Sequence, residues 1–177
     1  FVLDAVVAVD FEILTFNEPV WFYCDPDVDA KVAISYTNRR KLTFNAPVTV
    51  NGEFNSIGNF GAGVDQGTFF YDKVTVETAN RIYIAGGSGW THFMKGGYSV
   101  GDLLGINVDC GIECGDENVF DPNHQILFYK PNTRIELNGH DQTTTQLWAN
   151  FTSTTDSPVF NSTGGVAVVK HDGRHSG

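Results

Sequence analysis

"LTFNEPV" (Leu14–Val20) returns as "LTFNAPV" (Leu42–Val48), with six of seven letters unchanged at a spacing of 28 residues. In each copy a run ending in Phe gives way to Asn, whose side chain bonds the nearby backbone at the start of a turn. Pro then restricts the chain before Val opens a new extended run. Pro has no N–H to give to a sheet ladder, so each copy marks an edge, a corner or a strand start. The likeness stops at its borders, since "WFYCDPD" follows the first copy and "TVNGEFN" the second. Two copies without common flanks fall short of a solenoid, which needs roughly three or more repeats to bury a continuous core. The pair therefore reads as one structural corner used twice.

Around that corner, alternation of apolar and other residues dominates. Phe1, Leu3, Ala5, Val7, Val9, Phe11 and Ile13 share one face of an extended segment, with Asp4, Asp10 and Glu12 on the other. The segment predicts one long strand over residues 1–13, about 43 Å at the usual rise per residue. Further strands are expected at Val20–Tyr23, Lys31–Thr37, Lys41–Phe44, Val48–Phe54, Thr68–Thr78, Arg81–Ala85, Tyr98–Val108, Gln125–Tyr129, Arg134–Leu137, Gln146–Phe151 and Val166–Lys170. Asn51-Gly52 and Asn138-Gly139 lie between alternating residues and read as hairpin turns, because both central positions of a type I′ turn need positive φ. "GNFGAGVDQG", "AGGSGW" and "CGIECGDENVFDPN" carry no strand pattern, and no stretch shows a capped helical period. The expected fold is all-β: a single-domain antiparallel β-sandwich or jelly roll over residues 1–177, with long loops and little helix.

Composition narrows the function classes. A chain of 177 residues can bury roughly 70% of its unfolded surface without staples. Charged residues are only 18%, so the surface is rich in hydroxyls and amides. Asp plus Glu number 21 against 11 Lys plus Arg, for a net charge of −10, which repels a phosphate backbone and argues against nucleic acid as a partner. No apolar run reaches the roughly 20 residues of a membrane-spanning helix. Opening at Phe1 fits removal of a leader or a trimmed record. The sequons at Asn150 and Asn161 lend some weight to an exported protein and are the candidate glycosylation sites.

Two acidic clusters are candidate cation sites. Asp25, Asp27 and Asp29 alternate along an extended stretch, which puts their carboxylates on one side; the competing reading is a solvated turn. Asp109, Glu113, Asp116, Glu117 and Asp121 crowd a glycine-containing segment and would repel one another without a cation, for which oxygen ligands select Ca²⁺. Cys24, Cys110 and Cys114 are an odd count, read either as buried thiols or as one disulfide (Cys110–Cys114 or Cys24–Cys110) with one thiol left over. No second cysteine pair completes a zinc site. His171 and His175 lie four apart beside Gly173, which suits a mobile or docked tail better than a helical ligand pair. Gly-x-Ser-x-Gly and Ser-x-x-Lys motifs are missing, and "GGSGW" has neither the spacing of a nucleophile elbow nor the ending of a phosphate loop. Trp90, Tyr98 and Trp148 stand beside polar or glycine-rich stretches, where a flat ring can stack on a sugar or close the end of a core.

These features lead to a non-enzymatic structural subunit that assembles with copies of itself outside the cell, at the cell surface or in a virion, as a fibre, surface layer or shell. Phe1, Leu3, Val7, Val9 and Phe11 of the first strand are the expected subunit contacts. The rival from another class is a secreted calcium-dependent carbohydrate-binding module, and a third is a glycan-active enzyme with dispersed acids. No family resemblance reaches specific residues.

Overall fold

The computed structural model describes residues 2–4, 7–8, 13–23, 31–39, 41–51, 53–60, 67–76, 82–85, 90–97, 103–107, 111–120, 125–128, 133–144, 146–149 and 159–171. Among them are strands, turns and bends but no helix, and therefore none long and apolar enough to cross a membrane.

Every described strand pair is parallel, and the chain visits its sheets in rotation. Val2–Asp4 lies in a first sheet, Val7–Ala8 in a second and Ile13–Phe16 in a third. Val20–Tyr23 then returns to the first beside Val2–Asp4, Lys31–Arg39 to the second and Lys41–Phe44 to the third. The third sheet gathers seven strands: Ile13–Phe16, Lys41–Phe44, Gly67–Phe70, Trp90–Phe93, Gly111–Cys114, Arg134–Glu136 and Val159–Asn161. The second also has seven, from Val7–Ala8 to Gln146–Ala149. The first has four, ending at Val74–Val76, and Gln142–Thr144 with Val169–His171 forms a separate parallel pair. The architecture is a parallel β-solenoid, each turn of chain stacking on the one before.

This corrects the antiparallel sandwich or jelly roll. Alternation along a strand reports that one face is buried, and it does so equally for parallel and antiparallel neighbours. The repeated heptapeptide is both a corner and a rung. Leu14 pairs with Leu42 and Phe16 with Phe44, and the next rung continues the pairing at Thr68 and Phe70 in "TFFYDKV". The opening segment is not one long strand, since its described parts contribute to three sheets. Leu3 pairs in register with Phe22 and Val7 with Ile34 of the same chain; Phe1, Val9 and Phe11 lie outside the described residues.

The Asn-Gly pairs lie between strands of different sheets and so do not close hairpins. Asn138 and Gly139 do take φ of 49° and 84°, as the dipeptide predicts. However, the strands they connect, Arg134–Glu136 and Gln142–Thr144, belong to different sheets. Asn51 likewise ends a first-sheet strand, and Glu53 begins one in the second.

The corners keep the ladder running between strands. The N–H of Asn45 donates to Phe16 O at 2.8 Å, that of Tyr71 to Phe44 O at 2.9 Å and that of Met94 to Phe70 O at 2.9 Å. Pro19 and Pro47 occupy a position where the third copy has Lys73, and there the extra N–H is taken by Asp72 Oδ1 at 2.7 Å. Inside the coil, the rings of Phe16, Phe44, Phe70 and Phe93 stack rung upon rung at centroid spacings of 5.1, 5.1 and 5.4 Å. That is close to the 4.7–4.9 Å between strands, so each ring sits on its predecessor without tilting away. Val20, Phe22, Leu42, Val48, Ile112, Ile126 and Ile135 complete this buried interior.

Candidate ligand-binding face

The third sheet turns Leu14, Leu42, Thr68, Thr91, Ile112, Ile135 and Phe160 to the interior as one in-register row. Strand alternation then sends the flanking rows outward. One is Ile13, Lys41, Gly67, Trp90, Gly111, Arg134 and Val159; the other is Thr15, Thr43, Phe69, His92, Glu113, Glu136 and Asn161.

Several of these outward residues are covered. The His92 ring stacks on Phe69 at 3.8 Å between centroids, and Lys41 Nζ lies 4.2 Å from the Phe69 centroid on the same face. His92 is fully buried; its Nδ1 bonds Glu113 Oε2, and Asn138 Nδ2 donates to Glu113 Oε1 at 2.7 Å. The hydrogen bond from His92 holds the Glu113 carboxyl below the ordinary glutamate range; burial opposes this and Asn138 reinforces it. His92 Nε2 is buried with no hydrogen-bond partner among the described residues. Asn138, His92 and Glu113 resemble a proton relay in connectivity, but the nitrogen that would act on a substrate is sealed from the surface.

Beside this covered ladder the face opens. A cleft of about 510 Å³ is lined by Trp90, Arg134, Ile135, Glu136, Val159 and Asn161. Glycine shapes it: a Cβ at Gly111 would fall 2.4 Å from the six-membered ring of Trp90, so the indole occupies the space a side chain there would fill. Glu136 ties the cleft floor to the neighbouring corner. Its Oε1 accepts from the N–H groups of Asn138 (3.0 Å) and Thr163 (2.7 Å), and its Oε2 from Asn161 Nδ2 (3.0 Å). Arg134 and Val159 are exposed and Trp90 is half-buried.

Of the residues singled out from sequence, Trp90 lines the cleft. Trp148 belongs to a different sheet, in register with Leu127, and Tyr98 lies outside the described residues. Among the described acids of the second cluster, Glu113 and Asp116 bond to different partners and Glu117 is exposed. Glu113 is committed to His92 and Asn138, while Asp116 accepts from the N–H groups of Gly96 (2.9 Å) and Glu117 (2.8 Å), which hold its carboxyl below the usual range. Asp25, Asp27, Asp29, Asp109 and Asp121 lie outside the described residues. Among the described residues, no three His, Cys, Asp or Glu side chains gather as metal ligands. Cys114 carries a free buried thiol, which burial, with Glu113 and Glu136 nearby, pushes far above the thiol range; Cys24 and Cys110 lie outside the described residues. The sequon residue Asn161 is exposed on the cleft rim, and Asn150 is outside the described residues. His171 ends a strand paired with Gln142–Thr144, and His175 lies outside the described residues.

Arg134, Glu136 and Asn161 escaped the sequence reading as partners of Trp90. The signal that would have found them is the rung register, which brings together positions 21 to 25 residues apart. Compared with known proteins, the chain matches no family model, no curated protein and no solved structure.

Proposed function

We propose that this chain is a non-enzymatic β-solenoid that binds an extended glycan along the outer face of its third sheet, outside the cell. The observation that carries this reading is the cleft in which a half-buried indole stands beside a guanidinium, an amide and an aliphatic wall. A ring face takes the C–H side of a sugar, while planar donors and acceptors take its hydroxyls. Strands about 4.8 Å apart make the face a rigid ruler, so a linear chain can be held without ordering loops. The sealing of His92 favours binding over catalysis.

Binding is tested by titrating neutral glucan, mannan, galactan and chitin oligosaccharides and their uronate counterparts into the protein, read by calorimetry. One or more should bind, and Trp90→Ala should abolish that binding while leaving the circular dichroism spectrum unchanged. Failure of every sugar, or full retention of binding by the Ala variant, overturns the reading.

A second reading, self-assembly, is favoured by the exposed apolar residues at opposite edges of the third sheet, Ile13 (64% exposed) and Val159 (53%), because open strand edges template further strands. Sedimentation velocity at rising protein concentration tests it: growth of the sedimentation coefficient, lost in Val159→Lys, supports assembly, and a monomer throughout overturns it.

A further inference from the structure

We infer that Arg134 makes the cleft selective for acidic glycans, those carrying a carboxylate or sulfate one or two sugars from the ring stacked on Trp90. This rests on the glycan-binding reading above.

Arg134 shares its outward row with Trp90, two rungs away across Gly111, a separation of about 10 Å along the sheet, comparable to the length of a disaccharide. A guanidinium presents five N–H donors and no acceptor and stays charged at any physiological pH. The carboxylates on the neighbouring outward row are Glu113 and Glu136. Every oxygen of both is engaged elsewhere: Glu113 with His92 and Asn138, Glu136 with the N–H groups of Asn138 and Thr163 and the amide of Asn161. Those donors offset the negative charge locally and hold both acids in place. The Arg134 guanidinium, by contrast, makes no hydrogen bond or ion pair with the described residues, although it sits on a cleft bounded by the indole and by Val159.

A cation with unspent donors, beside apolar walls that exclude water from one side, is arranged for bidentate capture of an oxyanion. A neutral hydroxyl uses one or two of its donors and leaves the charge unmet. The chain's net charge of −10 repels polyanions at long range, so selectivity is a contact effect at this one residue and not general attraction.

The test compares cellotetraose with its C6-oxidised form, cellotetrauronate, by calorimetry on the wild-type chain, Arg134→Gln, Arg134→Lys and Trp90→Ala. The acidic tetramer should bind about tenfold or more tightly than the neutral one, in line with a charge-assisted contact. Arg134→Gln should bind both equally, at the neutral affinity. Arg134→Lys should recover part of the preference, and Trp90→Ala should lose both ligands. Equal or weaker binding of the acidic tetramer to the wild type, or a preference that survives Arg134→Gln, overturns the inference while leaving glycan binding intact. Binding of neither tetramer overturns this inference, and the glycan-binding reading falls separately, only if the whole oligosaccharide panel also fails.

Discussion

Asn45 donates its side-chain amide to the side-chain carbonyl of Asn17 at 2.8 Å, from 28 positions further along the chain. The two Asn of the repeated heptapeptide are thus stacked on each other at the same corner of successive rungs, directly outside the stacked pair Phe16 and Phe44. An exposed amide–amide bond exchanges with water and contributes about 0.5–1.5 kcal/mol. A fully buried phenyl ring between two others contributes far more, about 3–5 kcal/mol on truncation. Asn45→Ala should therefore lower stability slightly and Phe44→Ala severely, measured as urea midpoints at unchanged slope. Equal costs would mean that the corner, and not the ring stack, holds the rungs in register.

The same corner shows why the strands were legible and their partners were not. Val20–Tyr23 and Lys41–Phe44 match to the residue the strand-like runs expected from their apolar, aromatic and β-branched side chains. Nothing in that pattern names the neighbouring strand. The inward row runs Leu14, Leu42, Thr68, Thr91, Ile112, Ile135 and Phe160, so its chemistry passes from aliphatic to hydroxyl, back to aliphatic and then to aromatic, while the spacing falls from 28 residues to 21 and rises to 25. A solenoid requires only that the inside be filled and the corners satisfied, and both can be met with different letters and different lengths. Gly111–Cys114 was hidden for a related reason, since a short rung with two inward side chains inside an acidic stretch looks like a loop. Trp90 was recognisable as an aromatic beside glycine, but Arg134, Glu136 and Asn161 come to it only through the register.

Glycine marks two places where the backbone and the indole leave no room. At Gly67, with φ of +132°, an added Cβ would lie 1.9 Å from the carbonyl oxygen of Trp90, a backbone atom that cannot yield without breaking the rung. At Gly111 the obstruction is the Trp90 side chain, which can swing away. Gly67→Ala should accordingly cost several kcal/mol or prevent folding. Gly111→Ala should fold, move the indole and weaken glycan binding about tenfold or more. Denaturation curves, tryptophan emission and calorimetry separate the two; a Gly111→Ala protein with unaltered emission and binding would show that the ring does not depend on that gap.

The Glu113 carboxyl titrates below its unfolded value of about 4.5, chiefly because His92 bonds its charged form. A lowered folded pKa supplies stability that is fully present above the unfolded value and lost as pH falls through the folded one. Stability should therefore decline on acidification below about pH 4.5. Glu113→Gln keeps two hydrogen-bonding atoms but removes the titration, so its urea midpoint should be lower at neutral pH and fall less steeply in acid. Asp116, held down by the N–H groups of Gly96 and Glu117, titrates in the same direction and leaves a residual slope. Parallel pH profiles for the wild type and Glu113→Gln would show that the His92 pairing adds nothing to the folded state.

Gln142 is the polar residue on which the corner around residues 116–120 depends. It is fully buried; its Oε1 accepts from the N–H groups of Val119 at 2.7 Å and Phe120 at 3.4 Å, while its Nε2 donates to the carbonyls of Asp116 at 2.9 Å and His140 at 3.3 Å. One side chain thus serves four backbone groups, two of them on the buried residues Val119 and Phe120, and each buried group left unpaired costs about 1–3 kcal/mol. Gln142→Leu should be among the most damaging single substitutions, exceeding about 4 kcal/mol. Gln142→Glu separates shape from charge: an ionised carboxylate turns an oxygen toward two carbonyls, whereas the protonated acid restores a donor there. Burial and those carbonyls raise the folded pKa of the introduced acid, so the variant's deficit should be large at neutral pH and shrink as pH falls below about 5. Urea titrations of wild type and Gln142→Glu at both pH values give the comparison. A deficit independent of pH would place the cost in packing and remove the amide's hydrogen bonds from the account of this corner.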